Sequence, residues 1–258
     1  MDCSYSRSDI YDLEYKNYDR DLRFYQYMAA TFSGSEQARI LELSCGTGRI
    51  CIPLATQGFR VTGVDISYPM VLKAKEKWER CKVNGNGSLR LVVGDMIKPP
   101  VWGSGYNFAF IPFNGFMHLL TREDQHECLE SVRRSLKDKG FFLAEIGIPD
   151  FTQGYKTHEI FKIFERENIL LCRKMVLDAD PCTQIVRRIF FYRIFELTGE
   201  RKEIESFWEP RDYSYLFPLQ WEELLVNSGF NIIKKYGDFD YNNFDSGSRI
   251  MLWLCQKA

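Results

Sequence analysis

The chain has 258 residues, 45% of them hydrophobic and 27% charged, enough for one α/β domain with an insertion and a sizeable core. Its 34 basic and 35 acidic residues leave a formal net charge of -1, so no global field draws a polyanion and no nucleic-acid partner is expected. No run of about 20 apolar residues offers a membrane span. The polar start Met1–Asp12 has no signal-peptide run, and the eight cysteines contain no Cys-x-x-Cys pair. Reduced thiols, no metal site and a cytoplasmic location are therefore expected.

In chain order, apolar or aromatic residues at 11, 15, 18, 22, 25 and 28 step by three or four and predict an amphipathic helix over Tyr5–Phe32. A strand–helix alternation follows. Strands are expected at Arg39–Ser44, Arg60–Asp65, Leu89–Gly94, Tyr106–Ile111 and Gly140–Ile146, with helices at Gly48–Gln57, Pro69–Cys81 and Arg122–Leu136. Such alternation implies a Rossmann-like, doubly wound and mostly parallel sheet with helices on both faces. After Pro149 the pattern changes to three extended segments, Ile160–Leu177, Thr183–Leu197 and Arg201–Tyr215, which predict an inserted antiparallel meander. Its Arg187-Arg188 and Arg201-Lys202 pairs read as solvated strand ends. A helix at Gln220–Ser228, stopped by Gly229, and strands at Phe230–Phe239 and Arg249–Gln256 complete a seven-stranded sheet.

The chemistry concentrates at three strand ends. Ile40-Leu-Glu-Leu-Ser-Cys-Gly-Thr-Gly-Arg-Ile50 closes a buried strand and opens a helix. Gly46 and Gly48 allow a tight turn and close approach of a ligand to the main chain, and Glu42 can orient a cationic ligand or the loop itself. A dinucleotide fingerprint needs Gly-x-Gly-x-x-Gly, and Cys51 stands where the third glycine belongs. A plain turn stays open as long as this segment is read alone. Val61-Thr-Gly-Val-Asp65 then ends the second strand in an acid, 17 residues beyond Gly48, and Val92-Val-Gly-Asp95-Met96 ends the third in another. Asp65 can accept from both ribose hydroxyls and Asp95 from an exocyclic amine, and all three ends open on the carboxyl edge of the sheet, where such folds bind ligands.

Glu42-Leu-Ser-Cys-Gly-Thr-Gly-Arg, Val64-Asp-Ile-Ser and Gly94-Asp-Met resemble the motifs of class I S-adenosylmethionine-dependent methyltransferases. The similarity continues through Tyr106-Asn-Phe-Ala-Phe-Ile-Pro-Phe-Asn-Gly and Leu136-Lys-Asp-Lys-Gly-Phe-Phe. It leans toward bacterial small-molecule members of the nucleotide-sugar N,N-dimethyltransferase kind. Ser44 departs from the glycine usual at that position. The resemblance implies S-adenosyl-L-methionine as cofactor, with Cys45, Gly46 and Gly48 at its methionine part and Glu42 and Ser44 among the residues that bind it. Asp65 is implied at the ribose, Ile66 and Met70 against the adenine, and Asp95 and Met96 at the adenine edge. Pro112, Phe113 and Asn114 are implied as the floor near the sulfonium, and Tyr11 as a cofactor contact from the N-terminal lid.

For the acceptor, His118 lies just past the fourth strand, where these relatives carry a histidine, and is the candidate base or orienting group. Tyr15 matches a tyrosine of the N-terminal helix of the same relatives and is the second catalytic candidate. Arg49 is expected to face solvent. The resemblance divides the chain into a helical lid over 1–36, a cofactor-binding core over 37–150, an insertion over 151–217 that covers the acceptor or forms a homodimer contact, and a return to the core over 218–258. It implies transfer to nitrogen or oxygen of a small molecule. The Asn/Asp-Pro-Pro-Tyr/Phe signature of amino-methylating nucleic-acid enzymes is absent, since Ile111-Pro-Phe-Asn stands there.

Overall fold

A computed structural model of the chain describes residues 7–34, 38–81, 87–101, 103, 105–148, 168–197, 199 and 202–258, together with the backbone of 157–164. The start of the expected Tyr5–Phe32 helix and Arg201 of the expected Arg201-Lys202 pair lie outside these residues.

The main sheet has seven strands: β1 Arg39–Leu43, β2 Arg60–Asp65, β3 Ser88–Val93, β4 Tyr106–Ile111, β5 Leu136–Gly147, β10 Phe230–Tyr236 and β11 Ile250–Lys257. Their spatial order is β10-β11-β5-β4-β1-β2-β3. The pairs among β1 to β5 are parallel, and β11 is antiparallel to both β5 and β10. The central strands read as nearly continuous apolar runs because both faces are covered. Alternation along each strand divides the core. Leu41, Leu43, Ala109 and Ile111 face α5 (Arg122–Ser135) and α6 (Pro218–Asn227). Ile40, Phe108 and Phe110 face α2 (Leu22–Phe32) and α3 (Cys51–Thr56). Each such fully buried Leu, Ile or Phe contributes roughly 1.5–3 kcal/mol relative to exposure.

Local signals set the helix limits. The Thr121 side chain accepts from the Asp124 amide at 3.1 Å and caps α5. Pro69 lies in the first turn of α4 (Tyr68–Glu79). Gly229, at φ +78°, stops α6 as expected. Among the described residues no helix is long and apolar enough to cross a membrane.

Two expectations change. The single helix over Tyr5–Phe32 is two helices, α1 Ser8–Glu14 and α2 Leu22–Phe32. The chain breaks between them because Tyr15 and Tyr18 turn inward onto Phe113, with ring centroids at 4.9 and 5.6 Å. Asp21 is drawn into the interior at the same place. The three-stranded meander has four strands: β6 Thr157–Phe164, β7 Ile169–Asp180, β8 Ile185–Glu196 and β9 Lys202–Ser214, paired antiparallel in that order. The expected strand Ile160–Leu177 is divided at Asn168, whose φ of 52° is left-handed and whose carbonyl accepts from the Leu197 amide. Asparagine tolerates that conformation better than most residues. The second sheet is tied to the first at the 3-10 turn Gly115–His118 that follows β4, where Ser214 Oγ donates to the Leu119 carbonyl at 2.8 Å.

Candidate active site

The turn after β1 is held in an unusual conformation. Ser44, Gly46 and Gly48 all have left-handed φ, at +61°, +53° and +82°. At Ser44 this costs about 1 kcal/mol relative to glycine, which accounts for the glycine usual there. A Cβ on Gly48 would meet Ile52 Cδ1 of α3 at 2.7 Å and Ala74 Cβ of α4 at 3.2 Å, so that glycine is fixed by the packing of both helices. A Cβ on Gly46 would meet nothing within 4 Å, so the main chain there faces open space. Cys45 is buried, its thiol pushed up by a hydrogen bond to Cys51 and by burial. Its sulfur packs where a Cβ on Gly63 would come within 3.0 Å. What Cys45 offers the open side is therefore its backbone.

Two acids border that space. Asp65 accepts from the Gly46 amide at 2.7 Å and from the Ser67 amide at 2.9 Å, joining the ends of β1 and β2. Burial lifts its carboxyl above the usual range, and the two N–H donors hold it back. Glu42 is buried, its Oε2 has no hydrogen-bond partner, and burial pushes its pKa well up. Beyond Asp65, Ile66 is exposed and Met70 buried. Asp95 is exposed and accepts from the Ile97 amide at 2.9 Å, and Met96 packs on the core from a half-buried position.

After β4 the backbone is again left-handed, at Phe113 (φ 54°) and Asn114 (φ 60°). Pro112 just before them is buried. The strain is held by specific bonds: the Phe113 amide donates to Glu145 Oε2 at 2.8 Å, and Asn114 Oδ1 accepts from the Gly147 amide at 2.6 Å. Tyr25 donates to the same Glu145 oxygen at 3.1 Å. Consecutive left-handed residues of this kind mark functional sites more often than plain turns.

The N-terminal segment lies across both turns. Tyr11, Tyr15 and Tyr18 surround Phe113, with centroids at 6.4, 4.9 and 5.6 Å. Burial raises all three phenols, Tyr11 to about 12. Asp12 accepts from Thr47 Oγ1 at 2.5 Å and from Lys77 Nζ at 2.9 Å, which seats α1 on the glycine turn. Arg49 does not face solvent as expected. It pairs with buried Asp21 through two bonds of 2.6 and 2.7 Å and lies over the rings of Tyr18 and Phe113. The sequence reading missed Asp12, Thr47, Lys77, Asp21 and Glu145, because their partners lie 28 residues or more away along the chain.

His118 ends the 3-10 turn, 4.7 Å from the ring of Tyr213 on β9. Enclosure, with Arg211 and Arg188 nearby, lowers its pKa to about 4. Tyr15 is in electrostatic reach of Tyr192, Arg211 and Tyr213, so α1, the 3-10 turn and the meander converge. His126 lies on α5, and the side chain of His158 is outside the described residues.

A seven-stranded sheet of this order, with a glycine turn and two acids at successive strand ends, is the fold of S-adenosylmethionine-dependent methyltransferases. Residues 40–140 match the family model described as a methyltransferase domain. The chain is 27% identical over 234 residues to YqeM of Bacillus subtilis (strain 168), covering 86% of this chain and 85% of that protein. Its fold is that of the CcbJ methyltransferase from Streptomyces caelestis, at TM-score 0.78 and 22% identity over 98% of this chain and 96% of that one. DesVI from Streptomyces venezuelae gives TM-score 0.78 at 16% identity, with 98% of each chain covered. CalS10, an amino pentose methyltransferase from Micromonospora echinaspora, gives 0.71 at 14% over 96% and 97%. S-adenosylmethionine is the cofactor, and the residues present fit it. The open main chain at Gly46 and the orphaned buried oxygen of Glu42 suit a ligand carrying a cationic amine.

Proposed function

We infer that the chain methylates a nitrogen or oxygen of a small-molecule acceptor held between the Phe113–His118 edge, the N-terminal segment and the meander. The observation that carries this reading is the enclosure of Phe113. Tyr11, Tyr15 and Tyr18 surround its ring, and Tyr213 of the meander stands against His118. Such an enclosure suits a small molecule, whereas a nucleic-acid strand needs an open basic groove. The description of CalS10 as an amino pentose methyltransferase supports a small acceptor as well. In this reading residues 1–36 act as a lid and residues 151–217 cover the acceptor.

When bound, the cofactor supplies a methyl group on a sulfonium, which an acceptor lone pair takes by in-line displacement with S-adenosylhomocysteine left behind. Asp65 would hold the ribose, and Glu42 with the Cys45–Gly46 main chain the amino-acid end. The protein's task is then orientation and exclusion of water. With a pKa near 4, His118 is neutral at neutral pH and accepts a hydrogen bond from the acceptor, aiming its lone pair. Tyr15, its phenol raised by burial, remains protonated and donates. The pair fixes an acceptor from two sides without either carrying charge.

His118→Ala is expected to lower kcat by about tenfold or more and leave the cofactor Kd within about twofold, read by steady-state kinetics and calorimetry. Equal loss in both would assign His118 a structural part. A wild-type protein with no saturable S-adenosylmethionine binding would remove the whole reading.

A further inference from the structure

The inner face of the meander carries an arginine with no carboxylate partner among the described residues. The pleat separates Arg187 from Arg188. Arg187 points outward and pairs with Asp212 at 2.7 Å. Arg188 points to the face that bears the buried residues Val186, Phe190 and Tyr192. Directly opposite Arg188 in the β8–β9 ladder stands Arg211, which is 9% exposed. Like charges facing each other across a strand pair are destabilising, and more so where water is excluded.

The partners do not cancel this. Arg211 pairs with Glu209 at 2.5 Å, and Arg173 of β7 pairs with Glu14 of α1. Among the described residues no carboxylate lies within ion-pair distance of Arg188, and its Nε is buried without a hydrogen-bond partner. Arg173 and Arg211 thus each have a carboxylate partner, and Arg188 has none among the described residues. Its guanidinium lies over the Tyr213 ring, at 4.6 Å, and that ring is the one against His118. Arg188 is half-buried, and a cation placed there against an aromatic ring with no facing carboxylate suits a ligand that supplies the counter-charge.

We propose that the methyl acceptor carries an oxyanion, a carboxylate or a phosphate ester, which Arg188 receives beside Arg211 at the His118–Tyr213 edge. This rests on the small-molecule methyltransferase reading and names the charge of its substrate. A guanidinium fork suits both oxyanions, since both present two oxygens at matching spacing. Arg188 is then a specificity residue that selects charged acceptors over neutral analogues.

The test is calorimetric titration of the protein, loaded with S-adenosylhomocysteine so that the cofactor's own carboxylate site is filled. One arm uses inorganic phosphate and the other acetate, on wild type, Arg188→Gln and the outward-facing control Arg187→Gln. Wild type and R187Q are expected to bind at least one anion saturably, and R188Q at least about tenfold more weakly. The arm that binds tighter tells phosphate ester from carboxylate. R188Q should also melt at a higher temperature than ligand-free wild type, because removing one of two facing cations relieves their repulsion, whereas a merely structural arginine would lower it. A wild-type protein that binds neither anion, or an R188Q that binds as well as R187Q, overturns the proposal. If S-adenosylhomocysteine itself does not bind, the methyltransferase reading falls and this inference with it. If it binds and the anions do not, only this inference falls.

Discussion

At the scale of single residues, the most consequential side chain is Glu145, which no sequence pattern marked. It is 3% exposed and supports the left-handed Phe113 by accepting its amide proton. Burial raises its pKa to about 7, against an ordinary value of 4.5. The protonated form is therefore favoured on folding. Its stabilising contribution is complete below about pH 4.5 and is lost as pH rises through about 7, a change on the order of 3 kcal/mol from this one group. Urea unfolding across pH 4.5 to 8 should show stability falling over that window, with the slope reduced in Glu145→Gln. A variant with the wild-type slope would assign the titration elsewhere. Ser44 and the Phe113–Asn114 pair show the same economy on the backbone, where left-handed conformations occur at two turns and the second is held by neighbours up to 33 residues distant.

At the scale of elements, the N-terminal segment is fastened to the core by charge as much as by packing. Asp21, at the start of α2, and Arg49, after the glycine turn, form a two-bond pair with the aspartate fully enclosed. Asp21→Ala leaves Arg49 without its counter-charge and should destabilise the protein by about 3 kcal/mol in chemical denaturation. The double variant Asp21→Ala/Arg49→Met should recover a good part of that. Failure to recover any would show that Asp21 acts through something other than this pair.

Strands β1, β2 and β4 were legible because buried parallel strands are continuous apolar runs with sharp ends. The helix break at Tyr15–Asp21 was not, since the three- and four-residue spacing of its aromatics suits a helix whether or not Phe113 draws them inward. The division of the meander at Asn168 was hidden in the same way, behind an unbroken run of strand-forming residues. Arg188 beside Arg187 looked like a solvated pair, and only the pleat, once the sheet's inner face was known, set them apart.

At the scale of the whole molecule, a ligand that binds only the folded state stabilises it by mass action. S-adenosylhomocysteine at about 100 times its Kd should add about 2.7 kcal/mol, a melting shift of roughly 5–10 °C for a chain of this size. Asp65→Ala removes the proposed ribose partner and also the acceptor for the Gly46 amide, so it should abolish most of that shift in a thermal melt. A shift retained in full by the variant would place the cofactor elsewhere.

The strand order carries one more consequence. β1 and β4 are neighbours, yet the chain leaves β1 toward β2 on one side and leaves β4 toward β5 on the other. The crevice between their ends is a product of the path of the main chain, before any side chain is specified. An opening made by routing survives the exchange of nearly every residue around it, as the likeness to DesVI at 16% identity displays. Chains of this topology can inherit the place where a donor binds and remain free to rewrite the walls that choose the acceptor.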